Sequence, residues 1–405
     1  MSQELVRTAM AAAPGDVPPP LATPALLPQA KRVKEDPSFP QASPVVPAMT
    51  AEDWSKWSTL PPDLVRCIGD SLLSTNDLDC YIHFRAVCPG WRAAADDPMS
   101  DTSDPRFHPR RWIVLNEDFQ SEGKLLLLNT DNGRFVHRKL PLLSDHYVVA
   151  TTRNGYLVLA DKSPPHSASV LNPLTGVVIR FMAPVPPEVG HAAVSLASSA
   201  LGLTLFGDSS HKIYSAYPDN KSSVVHEAQQ AAYVFFRNAV VGGVYSDTIG
   251  HAVIVRLCRS LMPPDANHLC FPVALGREML LVGTAERSFF IFKTDIELSK
   301  LEDVDTINNY AIFIGHQRCL AVYADKFIGI EANCIYYTEN LGSSARICKC
   351  GIKDRKVEKI SETADFIKKD KKFVLVADRP STIIDLLASY TINIPDSRLA
   401  LQQIP

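Results

Sequence analysis

The sequence predicts an α+β multidomain chain in which a small all-α helix cluster is followed by an all-β domain, a β-propeller. Three observations carry this reading. Between residues 54 and 98 apolar side chains recur at helical spacing. Across residues 105–360 short apolar or β-branched runs alternate with Gly- and Asn-rich breaks. Residues 1–53 show neither pattern, and residues 1–50 hold ten of the thirty prolines.

Proline lacks an amide hydrogen and fixes φ, so the 1–53 segment is expected to be a disordered or polyproline-like arm. Inside it, Lys31, Arg32 and Lys34 form a short basic cluster. Such a cluster reads either as a nuclear-import signal or as a solvated charge run. With the import reading, the expected location is nucleus and cytoplasm.

The helix cluster, 54–98, begins at Pro61-Pro62, where a first helical turn tolerates proline. Leu64, Val65, Ile68 and Leu72 follow as one apolar stripe. Asn76 and Asp77 suit the cap of a second helix carrying Leu78 and Ile82. Val87, Cys88 and Trp91 form another stripe around the Pro89-Gly90 break. So few residues make a thin core, and a unit this small is expected to complete its core on a partner.

In the β domain the predicted strands include Trp112–Leu115, Lys124–Leu128, Tyr147–Val149, Tyr156–Leu159, Val177–Phe181, Ala252–Val255, Met279–Val282, Ser288–Phe292, Ala311–Ile314 and Cys334–Tyr337. The breaks include Asp131-Asn132-Gly133, Asn172–Gly176 and Val241–Gly243. A domain this long built from short strands points to a propeller rather than a simple sandwich. No Trp-Asp type repeat is present, so blade number stays open. The tail, 361–405, holds a lysine-rich run at 368–372 and a short helix at Ile383–Leu387, with no role attached.

The bulk composition narrows the function. A formal net charge of −3 over 405 residues gives no electrostatic case for binding nucleic acid or an anionic membrane. No stretch is long and apolar enough to span a bilayer, and no signal-peptide core is expected at the N-terminus. Nine scattered cysteines read as reduced thiols. Cys348-Lys349-Cys350 lacks zinc-knuckle spacing, and His226-Glu227 lacks the second histidine of a zincin helix. There is no nucleophile elbow and no phosphate loop. The expectation is therefore no catalytic residues, no metal and no cofactor.

Two segments together resemble an F-box: Trp57 to Val65, containing Leu60-Pro61-Pro62, and Phe84-Arg85-Ala86-Val87-Cys88-Pro89-Gly90-Trp91-Arg92. The β domain resembles that of plant F-box proteins with a KIB-type β-propeller. The matching pieces are Asp104 to Trp112, Leu171 to Gly176, Ala311 to Gly315 and Asn333 to Thr338. The resemblance implies the substrate receptor of a Skp–cullin–F-box ubiquitin ligase, itself not an enzyme. It implies a Skp-type adaptor on the F-box, a cullin through that adaptor, and an unidentified protein target on the β domain. The residues expected to meet the adaptor are Leu60, Pro61, Leu64, Ile68, Leu72, Val87 and Trp91. The alternative is a protein-interaction scaffold that uses the same helices without ubiquitin transfer. Recognition of the target is expected in loops such as 118–120 and Tyr217–Asn220.

Overall fold

The computed structural model describes residues 57–115, 124–227 and 269–392, less short stretches at 153–154, 198–199, 208–209, 276–277, 286–287, 296–299, 316–317, 340–345, 361–365, 370–371 and 376–381. All of them lie in one compact unit, Glu52–Pro405. Lys31, Arg32 and Lys34, the 118–120 loop, the 252–255 strand and the 241–243 break lie outside the described residues.

Among the described residues three helices come first: α1 (Pro62–Ser74), α2 (Leu78–Arg85) and α3 (Pro89–Ala94). Proline occupies the opening turn of α1 and of α3, where its missing amide hydrogen has no helical acceptor to lose. Pro89-Gly90 is therefore the start of a helix, not simply a break. Asp77 caps α2 by accepting the Cys80 amide at 3.0 Å, as its residue type and position predict.

Five sheets follow as blades. The first holds β1 (Trp112–Val114), β2 (Lys124–Asn129) and β3 (Phe135–Lys139). The second holds β4 (His146–Thr151), β5 (Leu157–Asp161), β6 (Ser167–Leu171) and β7 (Val178–Pro184). The third holds β8 (Val189–Ala197), β9 (Ala200–Gly207), β10 (Lys212–Ala216) and β11 (Val224–Glu227). The fourth holds β12 (Leu269–Leu275), β13 (Glu278–Ala285), β14 (Ser288–Asp295) and β15 (Lys300–Asp303). These four are plain antiparallel meanders.

The fifth blade departs from that plan. Its strands are β16 (Tyr310–Ile314), β17 (Cys319–Tyr323), β18 (Cys334–Glu339), β19 (Arg346–Gly351) and β20 (Val357–Lys359). They are ordered β17-β16-β18-β19-β20, with β16 and β18 parallel. β17 folds back to the inner edge and meets β12, as β4 meets β8. A hairpin, β21 (Phe366–Lys369) with β22 (Lys372–Leu375), and the helix α4 (Ile383–Ile392) complete the described chain.

A strand sends alternate side chains to opposite faces, and a blade between two neighbours buries both faces. That is why the apolar runs are continuous. In β2, Leu126 and Leu128 face the fifth blade, while Leu125 and Leu127 face the second. In β16, Ala311 and Phe313 face the first blade, while Ile312 and Ile314 face the fourth. Val158 and Val170 of the second blade meet Leu203 and Leu205 of the third. α4 packs Leu387, Tyr390 and Ile392 into the seam of the fifth and first blades.

Candidate functional site

The helices are held by one side and free on the other. Val65 and Leu73 of α1, with Leu78, Tyr81 and Phe84 of α2, share a single core with Trp112, Leu125, Leu157 and Leu171 of the first two blades. Trp91 stacks on Phe84 with ring centroids 4.7 Å apart, and its indole N–H donates to the Trp57 carbonyl at 3.0 Å. The Tyr81 hydroxyl donates to the Asp96 carbonyl at 2.8 Å, and burial pushes its pKa up to about 12. These two bonds tie the ends of the unit back onto its middle.

Seven apolar residues carry the sequence expectation for the partner face, and the structure sorts them. Leu64 is 51 % exposed, Ile68 38 % and Val87 53 %, and Pro61 is exposed as well. Leu64 and Ile68 are four residues apart, so they share one side of α1. Leu60, Leu72 and Trp91 are half-buried and pack against the core shared with the blades. Val65, read as part of the same stripe as Leu64, is buried and turned toward the propeller. Trp57 and Met99, not among those seven, are exposed.

The side facing the propeller adds charged groups at the margin of that apolar core. Asp79 is fully buried. Its Oδ2 accepts from Arg134 Nη2 at 2.5 Å, its Oδ1 accepts from Arg138 Nη2, and His83 Nδ1 stands 3.5 Å away. Arg134 precedes β3 and Arg138 lies on it, so both guanidinium groups belong to the first blade. Asp77, besides capping α2, accepts from Arg134 Nη1 at 3.1 Å and from the Asn132 amide at 3.0 Å. No sequence signal marked Asp79, because an aspartate in a first helical turn is ordinary.

Two turns of like sequence reach from the blades, one to the helices and one to the segment after them. Asn129-Thr-Asp-Asn-Gly133 links β2 to β3, and Asn172-Pro-Leu-Thr-Gly176 links β6 to β7. Each asparagine oxygen accepts two amides of its own turn: Asp131 and Asn132 in the first, Leu174 and Thr175 in the second. Each closing glycine has positive φ, 73° and 77°. The side-chain nitrogens are left to reach outward. Asn129 donates to the Asn76 carbonyl at 3.3 Å, and Asn172 donates to the Phe107 carbonyl at 2.9 Å.

The connecting segment is fastened too. Arg106 reaches Asp104 at 2.7 Å, Asp96 at 2.9 Å and Asp70 at 3.4 Å. Burial lowers the pKa of His108, which lies against the Tyr156 ring, to about 4. A cavity of about 170 Å³ lies between Leu73 and Leu78 on one side and Arg106, His108 and Arg110 on the other. That is too small to house a drug-sized ligand.

Cys348 and Cys350 lie on β19 and are buried, which raises the pKa of both thiols. That direction opposes thiolate chemistry. Among the described residues no His, Cys, Asp and Glu side chains gather as a metal site, and no helix is long and apolar enough to cross a membrane.

Residues 125–361 match the KIB1-4 beta-propeller family, which covers more than half of the chain. The chain is also 32 % identical over 121 residues to the F-box protein SKIP23 of Arabidopsis thaliana, a stretch covering 29 % of this chain and 27 % of that protein. The matched stretch thus spans little more than a quarter of the curated relative. The extent of the family match, over blades that close in this order, places the chain in the KIB1-4 beta-propeller family.

Proposed function

We propose that this member of the KIB1-4 beta-propeller family is a plant F-box protein acting as the substrate receptor of a Skp–cullin–F-box ubiquitin ligase. In this reading α1–α3 are the F-box, and they bind a Skp-type adaptor that brings the cullin. The propeller recruits the target protein, and the chain performs no catalysis itself. The protein works in nucleus and cytoplasm, entering the nucleus through Lys31, Arg32 and Lys34.

One observation carries the reading. A helical unit anchored to the propeller on its inner side leaves Leu64 and Ile68 exposed on one side of α1, and Val87 exposed between α2 and α3. Exposed large aliphatic residues on a small docked unit fit a partner's apolar groove. The name of the Arabidopsis relative supports the same assignment.

The experiment is co-purification with a Skp-type adaptor and a cullin. Burying each of the two side chains contributes roughly 1.5–3 kcal/mol. Leu64→Asp with Ile68→Asp is therefore expected to weaken adaptor binding by at least about a hundredfold, since it also places unpaired charge in the interface. Both positions are exposed, so the melting temperature should hardly move. Wild-type recovery of adaptor by the double variant would falsify the assignment. Adaptor without cullin would leave a scaffold in place of a ligase receptor.

A further inference from the structure

We propose that the buried Asp79 carboxylate, gripped by Arg134 and Arg138, is a positioning device that sets the angle between the F-box helices and the propeller. The inference rests on the receptor reading above: it makes the chain a rigid spacer that holds a bound target at one place relative to the adaptor.

Val65, Tyr81 and Phe84 against Trp112, Leu125 and Leu157 form a core that resists separation. Hydrophobic contact has no direction, however, and on its own it specifies orientation less sharply than hydrogen bonds do. The charges behave otherwise. Each oxygen of Asp79 meets a different guanidinium, one before β3 and one within it, so the carboxylate is held at two points along the same edge. Asp77 adds a third point through Arg134 and Asn132, and Asn129 a fourth through the Asn76 carbonyl. A rotation of the helices that broke any of these bonds would strand a desolvated donor or acceptor.

A buried ion pair is a weak source of net stability, because desolvation offsets most of the Coulomb gain. Its contribution here is orientation. The polar partners of Asp79 are Arg134, Arg138 and His83, all away from the exposed Leu64 and Ile68 in sequence, so its effect on the adaptor is expected to run through where the propeller is held.

The test uses the full chain in complex with a Skp-type adaptor and cullin. Nitroxide labels are placed through non-natural amino acids at Ala93 on α3 and Ser163 in the β5–β6 turn, both exposed. Pulsed electron resonance then gives the distance distribution between them. Asp79→Asn keeps the shape but removes the charge. It is expected to broaden the distribution about twofold while adaptor affinity stays within about twofold of wild type. In a ubiquitin-transfer reaction with the charged conjugating enzyme, automodification should spread over more propeller lysines than in wild type. A loss of stability alone would not redistribute those sites.

Arg138→Lys preserves a cation beside Asp79 and is expected to stay near the wild-type width. Unchanged width and unchanged sites in Asp79→Asn would overturn the proposal. So would equal broadening by Arg138→Lys, which would assign the angle to packing. If wild type captures no adaptor, the receptor reading fails by itself, and the distances in the free chain still decide whether the clamp sets the angle.

Discussion

The seam between the fourth and fifth blades and the seam beneath the helices hold the molecule together by different chemistry. The first is aliphatic and aromatic, with Val273, Val282 and Ile291 against Ile312, Ile314 and Ile335. The second has a comparable apolar core but adds Asp77, Asp79, Arg134, Asn129 and Asn172 at its margin. Blades in a ring are located by their neighbours on both sides and by the chain running through them, so bulk packing is enough. A helical unit resting on one flank of the ring has no such enclosure. Directional bonds supply the missing constraint. The lesson is that polar groups are buried where geometry is otherwise under-determined.

Changes that separate the two seams test this contrast. The largest effect is expected from Arg134→Ala with Arg138→Ala, which removes both guanidinium partners of the buried Asp79. Stranding a buried charge costs about 3–5 kcal/mol. Asp79→Asn should cost clearly less, since both arginines are partly exposed and can turn to solvent. Equal losses in chemical unfolding would mean that the carboxylate is better solvated than the structure has it.

Next comes Ile312→Ala, in the apolar seam. Removing a buried isoleucine costs about 2–5 kcal/mol through lost transfer energy and the cavity left behind. It should lower stability without altering adaptor binding or the Ala93–Ser163 distance. A broadened distance would show that the two seams are coupled and dissolve the comparison.

The smallest effect concerns pH. His108 has its pKa lowered by burial to about 4, below its unfolded value. The folded chain therefore holds this imidazole neutral where the unfolded chain would protonate it. Its contribution to stability is complete above the unfolded pKa and is lost as pH falls from there toward about 4. Thermal melts at pH 7 and pH 5 should differ by more in wild type than in His108→Gln. An identical difference in the two proteins would remove His108 from the account.

Much of this fold is legible in the residues, and the failures have physical causes. Runs such as Leu125–Leu128 and Ala311–Ile314 are apolar at every position because blades are covered on both faces. Asn and Gly at fixed offsets mark the two pinning turns. The third blade is harder to read, since β8 is built from small residues such as Ala192 and Ala193 whose burial reflects tight spacing rather than a strong apolar signal. The parallel pairing of β16 with β18 is long-range and leaves no local mark.

On α1 the periodicity identifies apolar positions but not their destinations. Leu64 and Val65 are adjacent and of one chemical class, yet one faces solvent and the other the propeller. Likewise Leu60, Leu72 and Trp91 are half-buried against the shared core, while Leu64, Ile68 and Val87 are exposed. Asp79, Arg134 and Arg138 are invisible to pattern reading because their meaning depends on 55 or more residues of intervening chain.

The position of α4 bears on how the molecule is made. Leu387, Tyr390 and Ile392 lie against Ile113 and Leu128 of the first blade and Phe313 and Tyr336 of the fifth. The Thr391 carbonyl accepts the Arg318 amide at 3.1 Å, and the Arg318 guanidinium covers the Tyr390 ring and reaches Thr151 of the second blade. All five blades are translated before this helix is. During synthesis the apolar flanks of the first and fifth blades must therefore wait, uncovered, for a segment still on the ribosome. A chain ending before Ile383 would carry all five blades with that seam unsealed. Such a product is a natural client for chaperones and proteases, so even a late truncation is expected to act as a loss of the protein.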